Sequence, residues 1–350
     1  MQENFQPGRD QGGQNMIKYL GISNTVVFAA LFFPAMSLAA PVLDTGQSGC
    51  YDDKNVVDCP LEGDDFYGQD AQYRGNARSY TKLGENGEKL ADSAINWIMV
   101  KDNTTGLVWE VKTRDGSVHD MHRLFTSAES ETVFIRRLNT ERFGGFSNWR
   151  IPDIKELNTL IMRDRYGPAL DKDFFPNTAS NYYWSSTLGT EELPGYWLLL
   201  FLNGNITREY RSQLYRARAV RGGSEVIEPI DNNDGTVTDK TTGLMWRKKS
   251  SGPFTWMEAL RYCEELEFAG HKDWRLPDIN ELLSIVNYLN RNPAIDIKAF
   301  PGTASSYYWS STSYIFHPDS AWMTNFFSGD INDNKKDYRY YCRAVRKANP

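Results

Sequence analysis

WRIPDIKEL at Trp149–Leu157 returns as WRLPDINEL at Trp274–Leu282, a displacement of 125 residues. Two later blocks keep the same displacement. PNTASNYYWSST (Pro176–Thr187) matches PGTASSYYWSST (Pro301–Thr312), and RAVR at Arg218–Arg221 matches RAVR at Arg343–Arg346. Upstream, TTGLVW (Thr104–Trp109) matches TTGLMW (Thr241–Trp246) at 137, so the first copy carries a net insertion of 12 residues between these blocks. Such a period exceeds the roughly 20–50 residues of solenoid and propeller units. It predicts two complete domains of one fold, each large enough to enclose its own core.

The motif reads as the start of a helix. Asp153 and Asp278 each have a glutamate three positions on, Glu156 and Glu281, which is capping-box spacing. These acids are therefore assigned to capping and not to catalysis. In the second copy the helix is expected to continue through Leu282, Leu283, Val286 and Leu289 as one apolar face. Ahead of the motif, INWIMV (Ile95–Val100) and LVWEV (Leu107–Val111) flank a polar, glycine-ended turn and predict a hairpin. TVTD (Thr236–Asp239) and LMW (Leu244–Trp246) repeat it. A first helix is plainest at Trp256–Leu266, where Trp256, Leu260, Cys263 and Leu266 fall at helical spacing. After the motif come short strands around the turns Asn203-Gly204-Asn205 and Ser328-Gly329-Asp330. Each unit is thus α+β, two helices packed on a short-stranded antiparallel sheet formed by both ends of the unit.

The formal charge of −6 is unevenly placed. Residues 101–222 carry 17 Lys/Arg against 15 Asp/Glu, and residues 231–347 carry 15 against 15. Neither repeat has the basic surplus of a nucleic-acid binder. The imbalance sits in residues 44–99, with 11 acids and 5 bases. VVFAALFF (Val26–Phe33), preceded by Lys18 and followed by Ser37-Leu38-Ala39, has the order of a secretory signal cleaved after Ala39. The run is too short to span a bilayer comfortably, so no stable membrane insertion is expected after cleavage. The resulting plan is an over-extended start at 1–15, a signal peptide at 16–39 and an acidic leader at 40–94, packed on the first domain. The first domain occupies 95–222, a linker 223–230 and the second domain 231–350.

All four cysteines follow the signal, and sequence alone allows three pairings. Cys50 and Cys59 would close a small loop. Cys263 in the first helix and Cys342 in the last strand would tie opposite ends of the second unit. Ile135 and Ala217 stand at those places in the first unit. Neither a CxxC nor a nearby histidine pair marks a metal site.

TGLMW, WRLPDINEL, YYWSST and the closing CRAVR, preceded by GCYDDKNVVDC and DFYGQDAQY, resemble the Lcl C-terminal domain family. That family is named for the Legionella collagen-like protein, and the resemblance covers both repeats. It implies a C-type-lectin-like fold related to formylglycine-generating enzymes, whose long disulfide is similar in placement to Cys263–Cys342. For function it implies adhesion, since the founding protein is an adhesin whose C-terminal domain binds sulfated glycans. The Glu-Pro-Asn, Gln-Pro-Asp and Trp-Asn-Asp triplets of calcium-dependent lectins are missing here, as is the reactive cysteine pair of the enzyme relatives. DNNDG (Asp231–Gly235) has its glycine at position 5 and no acid at position 12, so it reads as a turn and not as a calcium loop.

The expected function is an exported, non-enzymatic, adhesin-like binding protein for glycans or another surface ligand. Tandem copies would raise avidity without new chemistry. Candidate ligand contacts lie in two variable loops of the second copy. YIFHPDSAW supplies Tyr314, Phe316, His317, Asp319 and Trp322, and SGDINDN supplies Asp330, Asn332 and Asp333. The first copy has Leu188–Trp197 and Asn203–Ile206 there, so the two sites would not be equivalent. Trp149, Trp184, Trp274 and Trp309 lie in the shared framework and are assigned to the core. No catalytic residue, cofactor or metal ligand is expected. The competing readings are a structural or protein-binding subunit of a bacterial envelope assembly and, with less support, a formylglycine-generating-type oxidase.

Overall fold

A computed structural model of the chain describes residues 41–191, 194–223 and 229–348. The expected signal peptide, the residues ahead of Met16 and positions 224–228 of the linker lie outside the described residues. The leader forms a small ribbon, β1 (Cys50–Tyr51) with β2 (Val56–Val57), closed by the Cys50–Cys59 disulfide. In the first repeat β3 (Tyr80–Leu83), β4 (Met99–Asp102) and β5 (Val108–Glu110) precede α1 (Ser127–Glu129), a π turn (Ser130–Ile135) and α2 (Arg136–Thr140). Then come α3 (Ile154–Thr159), β6 (Tyr182–Leu188), β7 (Tyr196–Leu200), β8 (Ile206–Glu209) and β9 (Val220–Arg221). The second repeat opens with β10 (Ile230–Asp231), β11 (Thr236–Asp239), β12 (Leu244–Arg247) and β13 (Ser251–Phe254). It continues through α4 (Trp256–Glu264), α5 (Ile279–Ser284), β14 (Tyr307–Ser313) and β15 (Ser320–Asn325). β16 (Ile331–Lys335), β17 (Tyr340–Cys342) and β18 (Val345–Lys347) complete it.

Each repeated motif block turns out to be part of one joint. Asp153 and Asp278 cap α3 and α5, accepting from the backbone N–H of Glu156 and Glu281, and both capping boxes are closed. The same glutamates take the guanidinium fork of the motif arginine, Arg150 on Glu156 and Arg275 on Glu281, with all four contacts at 2.6 Å. The arginine backbone pairs in turn with the closing RAVR strand, Arg150 with Val220 and Arg275 with Val345. From YYWSST, Thr187 and Thr312 accept the N–H of Ile154 and Ile279, and Ser186 and Ser311 donate to the prolines of the motif. The first RAVR arginine is buried, with Arg218 donating to Thr178 Oγ1 and Arg343 to Thr303 Oγ1. The four framework tryptophans are buried, as their position implied.

The two repeats do not stand apart as independent globules. β16 pairs antiparallel with β8 through Ile331 and Ile206, so the sheets fuse into one of eight strands, β13-β17-β14-β15-β16-β8-β7-β6. Those isoleucines are 125 residues apart, hence the same position in each copy. Antiparallel pairing of a position with its own twin places a pseudo-twofold axis at that point. Side chains obey it. Arg163 lies over the Trp322 ring at 4.6 Å, and its counterpart Tyr288 meets Trp197 edge-on at 4.8 Å. Gly204 and Gly329, again counterparts, have positive φ, and a Cβ there would strike Arg163 and Tyr288 respectively. Lys155 Nζ donates to Ser284 O at 2.7 Å, and Asn158 Nδ2 to Asn280 Oδ1 at 2.9 Å, joining α3 to α5.

Several expectations are corrected here. The main core is shared, with Trp109, Leu157 and Trp197 of one repeat in the same cluster as Trp246, Leu282 and Trp322 of the other. The separate cores are smaller satellites. The leader, expected on the first domain, packs on both repeats: Phe66 meets Trp256, Tyr73 donates to Glu264 and Lys336 donates to Asp52 O at 2.8 Å in the second, while β3 pairs with β4 and Arg78 donates to the carbonyls of Thr159 and Ile161 in the first. Helix α5 ends at Ser284, and Leu289 is exposed, because Asn287 turns the chain by accepting from the Leu289 N–H. The Cys263–Cys342 bridge is not formed. Both thiols are buried with their sulfurs 4.0 Å apart, about twice the length of an S–S bond. In the first repeat the π turn takes up one residue of the insertion, which keeps Ile135 buried opposite Ala217.

The two arginine forks differ in exposure, with Arg275 at 10% and Arg150 at 41%. Arg275→Ala would leave Glu281 buried and unpaired, at a cost of about 3–5 kcal/mol. Arg150→Ala should cost about 1 kcal/mol, because water already screens that pair. Urea unfolding of both variants measures the gap, and equal losses would contradict the burial argument.

Candidate functional site

The connection between β14 and β15 is a tight loop. Tyr314 exchanges backbone bonds with Ser320 and His317, and Ser320 N–H donates to His317 O at 2.7 Å. This folding thrusts Phe316 outward, 48% exposed, where it meets Tyr166 of the first repeat, 43% exposed, with ring centroids 4.3 Å apart. Tyr314 lies behind them, 6.0 Å from Phe316 and 5.6 Å from His317. On the adjoining strand, burial holds the Asp333 carboxyl above its ordinary range, with His317 opposing the shift and Asp319 adding to it. Lys335 stands 3.6 Å from Asp319. The result is a two-ring apolar platform edged by an imidazole and two carboxylates. Such a face can stack on the C–H side of a ring and accept hydrogen bonds from hydroxyls around it.

Five of the eight residues singled out by sequence therefore gather on one face: Tyr314, Phe316, His317, Asp319 and Asp333. Trp322 does not belong with them, since it is buried between Arg163 and Tyr314. Asp330 and Asn332 lie at the far end of the β15–β16 hairpin. Asp330 accepts from Asn332 Nδ2 at 2.8 Å and from the Ser328 hydroxyl, so it pins the turn. Tyr166 was missed. Its only signal is an aromatic side chain in a polar loop, and its partner lies in the other repeat, 150 residues away.

A second feature lies where the motif helices meet. A cavity of about 600 Å³ is lined by Asp153, Ile154, Lys155 and Thr187 of the first repeat and by Leu283, Tyr288 and Phe300 of the second. Burial pulls the Lys155 amine below its ordinary pKa, against the pull of Asp153 and Asp239. The equivalent surface of the second repeat is covered by the leader. Asp70 accepts from the hydroxyls of Thr312 at 2.5 Å and Thr45 at 2.8 Å, and Tyr73 packs over Arg275. Burial pushes the Asp70 carboxyl from 3.8 up to about 7, with Asp44 and Glu281 adding to it and the two hydroxyls opposing. Among the described residues, no group of three His, Cys, Asp or Glu is placed to hold a metal ion. DNNDG is a turn, in which Asp231 and Asp234 accept from the N–H groups of Asn233 and Thr236. No described helix is long and apolar enough to cross a membrane, and the Cys50–Cys59 disulfide is compatible with export.

The model of the Lcl C-terminal domain matches this chain twice, at residues 98–221 and 235–346. The two matches span most of the chain, which belongs to that family and carries its domain as two tandem copies. A search of curated proteins returns no match.

Asp70 gives the leader a pH dependence of definite sign. Its folded-state pKa is raised, so between about pH 4 and 7 the folded chain binds more protons than the unfolded one. This group's contribution to stability therefore falls as pH rises through that window. Asp70→Asn should flatten the corresponding slope in thermal melts between about pH 4.5 and 7.5. Identical slopes in the two proteins would assign the effect to other groups.

Proposed function

We propose that this member of the Lcl C-terminal domain family is an exported, non-enzymatic binding protein that recognises glycans through the face formed by Tyr166, Tyr314 and Phe316. The observation that carries the reading is the Tyr166–Phe316 pair. Two large rings held half-exposed, 4.3 Å apart, lose the benefit of burial unless something covers them. They are also fixed in place, by the tight loop on one side and by the fused repeats on the other, so little conformational freedom is lost on binding. His317, Asp319 and Asp333 supply the polar edge that a saccharide requires. Two carboxylates on this face favour a neutral or weakly charged glycan over a polysulfated one. On this reading each α+β repeat is a C-type-lectin-like unit working without calcium, and the signal peptide delivers the protein to the periplasm or the cell surface.

The twin of this pair across the axis is not aromatic, with Glu191 of the first repeat at the place of Phe316 and Arg291 of the second at that of Tyr166. The protein is therefore proposed to hold one such site and not two. A glycan array probed with the purified protein, with and without calcium and at two salt concentrations, tests this. Selective binding that is insensitive to calcium and salt is expected. Phe316→Ala and Tyr166→Ala should each weaken it about tenfold, the worth of roughly 1.4 kcal/mol for one stacked ring. A blank array with folded protein, or variants that bind like the parent, would overturn the reading.

A further inference from the structure

We infer that the motif surface of the first repeat, together with the cavity beside it, binds an extended peptide segment of a partner protein that presents a carboxylate side chain. The duplication itself points to this site, independently of the glycan reading. In the second repeat this surface already carries a peptide, the chain's own leader. Asn280 donates to Leu43 O at 3.0 Å, and Gln47 spans the backbone of Ser313, donating to its carbonyl at 2.8 Å and accepting from its N–H at 2.9 Å. Asp70 accepts from the Thr312 hydroxyl, and Tyr73 covers Arg275. Main-chain groups, an amide, an acid and an aromatic ring thus converge on the end of β14 and the start of α5.

Every one of those docking points has a counterpart in the first repeat. Lys155 stands for Asn280, Thr187 for Thr312, Leu188 for Ser313 and Arg150 for Arg275. Among the described residues the counterparts are less covered. Ser313 is fully buried under the leader, whereas Leu188 is 54% exposed. Asp153, the twin of buried Asp278, is exposed as well. Thr187 Oγ1 accepts from the Ile154 N–H, as Thr312 does from Ile279, and its own hydroxyl hydrogen has no acceptor among the described residues.

The substitutions shift the preference further toward an acid. Lys155 puts a cation where the second repeat has a neutral amide, and its only hydrogen-bond acceptor among the described residues is Ser284 O. Beside it, Tyr288 also lines the cavity. The cavity's size, about 600 Å³, falls within the range of small-ligand pockets and can take one or two side chains of a strand laid across its mouth. The leader of a second copy is not free to fill this role. It is tied to its own chain by Lys336 on Asp52, Arg261 on Asp65, Tyr73 on Glu264 and Arg78 on the carbonyls of Thr159 and Ile161.

The leader itself supplies the probe. A labelled synthetic peptide of residues 41–76, oxidised at Cys50 and Cys59, is titrated into the full-length protein by fluorescence anisotropy. Saturable binding in the micromolar range is expected, about 8 kcal/mol. It should fall at least about tenfold, or 1.4 kcal/mol, with Lys155→Glu in the protein or Asp70→Lys in the peptide. Leu188→Glu serves as the second protein variant, because an exposed side chain can be changed without unfolding the chain, and it should weaken binding likewise. Absence of saturable binding would overturn the proposal. So would binding that neither protein variant alters, since the peptide would then be exchanging into the second repeat.

Discussion

An arginine fork on a helix-capping glutamate, buried in the second repeat and partly exposed in the first, joins three parts of each repeat that are distant in sequence. The glutamate closes the capping box at the start of the helix, the arginine side chain grips that glutamate, and the arginine backbone pairs with the closing strand. Breaking the fork would free a helix start, a strand pairing and a buried charge together. Its dependence on all three partners explains why the tryptophan, the arginine, the proline and the acids must occur in one short stretch. It also explains why WRLPDINEL travels with YYWSST and RAVR: the serine and threonine of the one and the valine backbone of the other complete the same hydrogen-bonded corner.

The second constraint is self-pairing. Once β8 and β16 join through twin isoleucines, the chain behaves as a dimer whose subunits happen to be covalently linked. Contacts across the axis must then come in pairs, and they do: a glycine turn, a side chain laid over it and a tryptophan in the opposite copy. The pairing tolerates arginine on one side and tyrosine on the other, because a guanidinium over the ring face and a phenol ring meeting it edge-on are both favourable contacts for an indole. Roughly 150–250 Å² of each buried ring is withdrawn from water in this way, which makes the shared core the larger one.

What the sequence disclosed follows from where its information lies. Capping spacing, strand turns and the burial of Trp149, Trp184, Trp274 and Trp309 are local or internally repeated, so they could be read directly. The placement of the leader could not, because Asp70 finds Thr312 and Lys336 finds Asp52 across more than two hundred residues of intervening chain. Nor could the fused sheet, since the residues of β8 and β16 carry no mark that distinguishes an edge to be joined from an edge to be protected. In the sequence Trp322 reads as a ligand contact because its loop varies between copies. The strand register that turns it inward, opposite Asp333, begins inside that loop. Tyr166 escaped for the converse reason, being half of a pair whose other half lies in the second copy.

Duplication separates folding from function more sharply than a single domain would. A feature needed to build the fold must be present in both copies, since each must build it. The fork, the caps, the buried Arg218 and Arg343, and the tryptophans all pass that test. A feature present once is released from it. The Tyr166–Phe316 platform is such a feature, and so is the leader, which among the described residues buries Ser313 of the second repeat but leaves its twin Leu188 exposed. Glu110 in the first repeat, buried between Lys112 and His119, also has no twin, for Arg247 stands in its place. That trio, however, satisfies its own charges and faces inward, so it compensates for the local insertion and offers nothing to a ligand. The platform and the open motif surface differ from it in one physical respect: each leaves polar or aromatic groups without their full complement of neighbours. Those incomplete surfaces are where binding free energy remains to be gained.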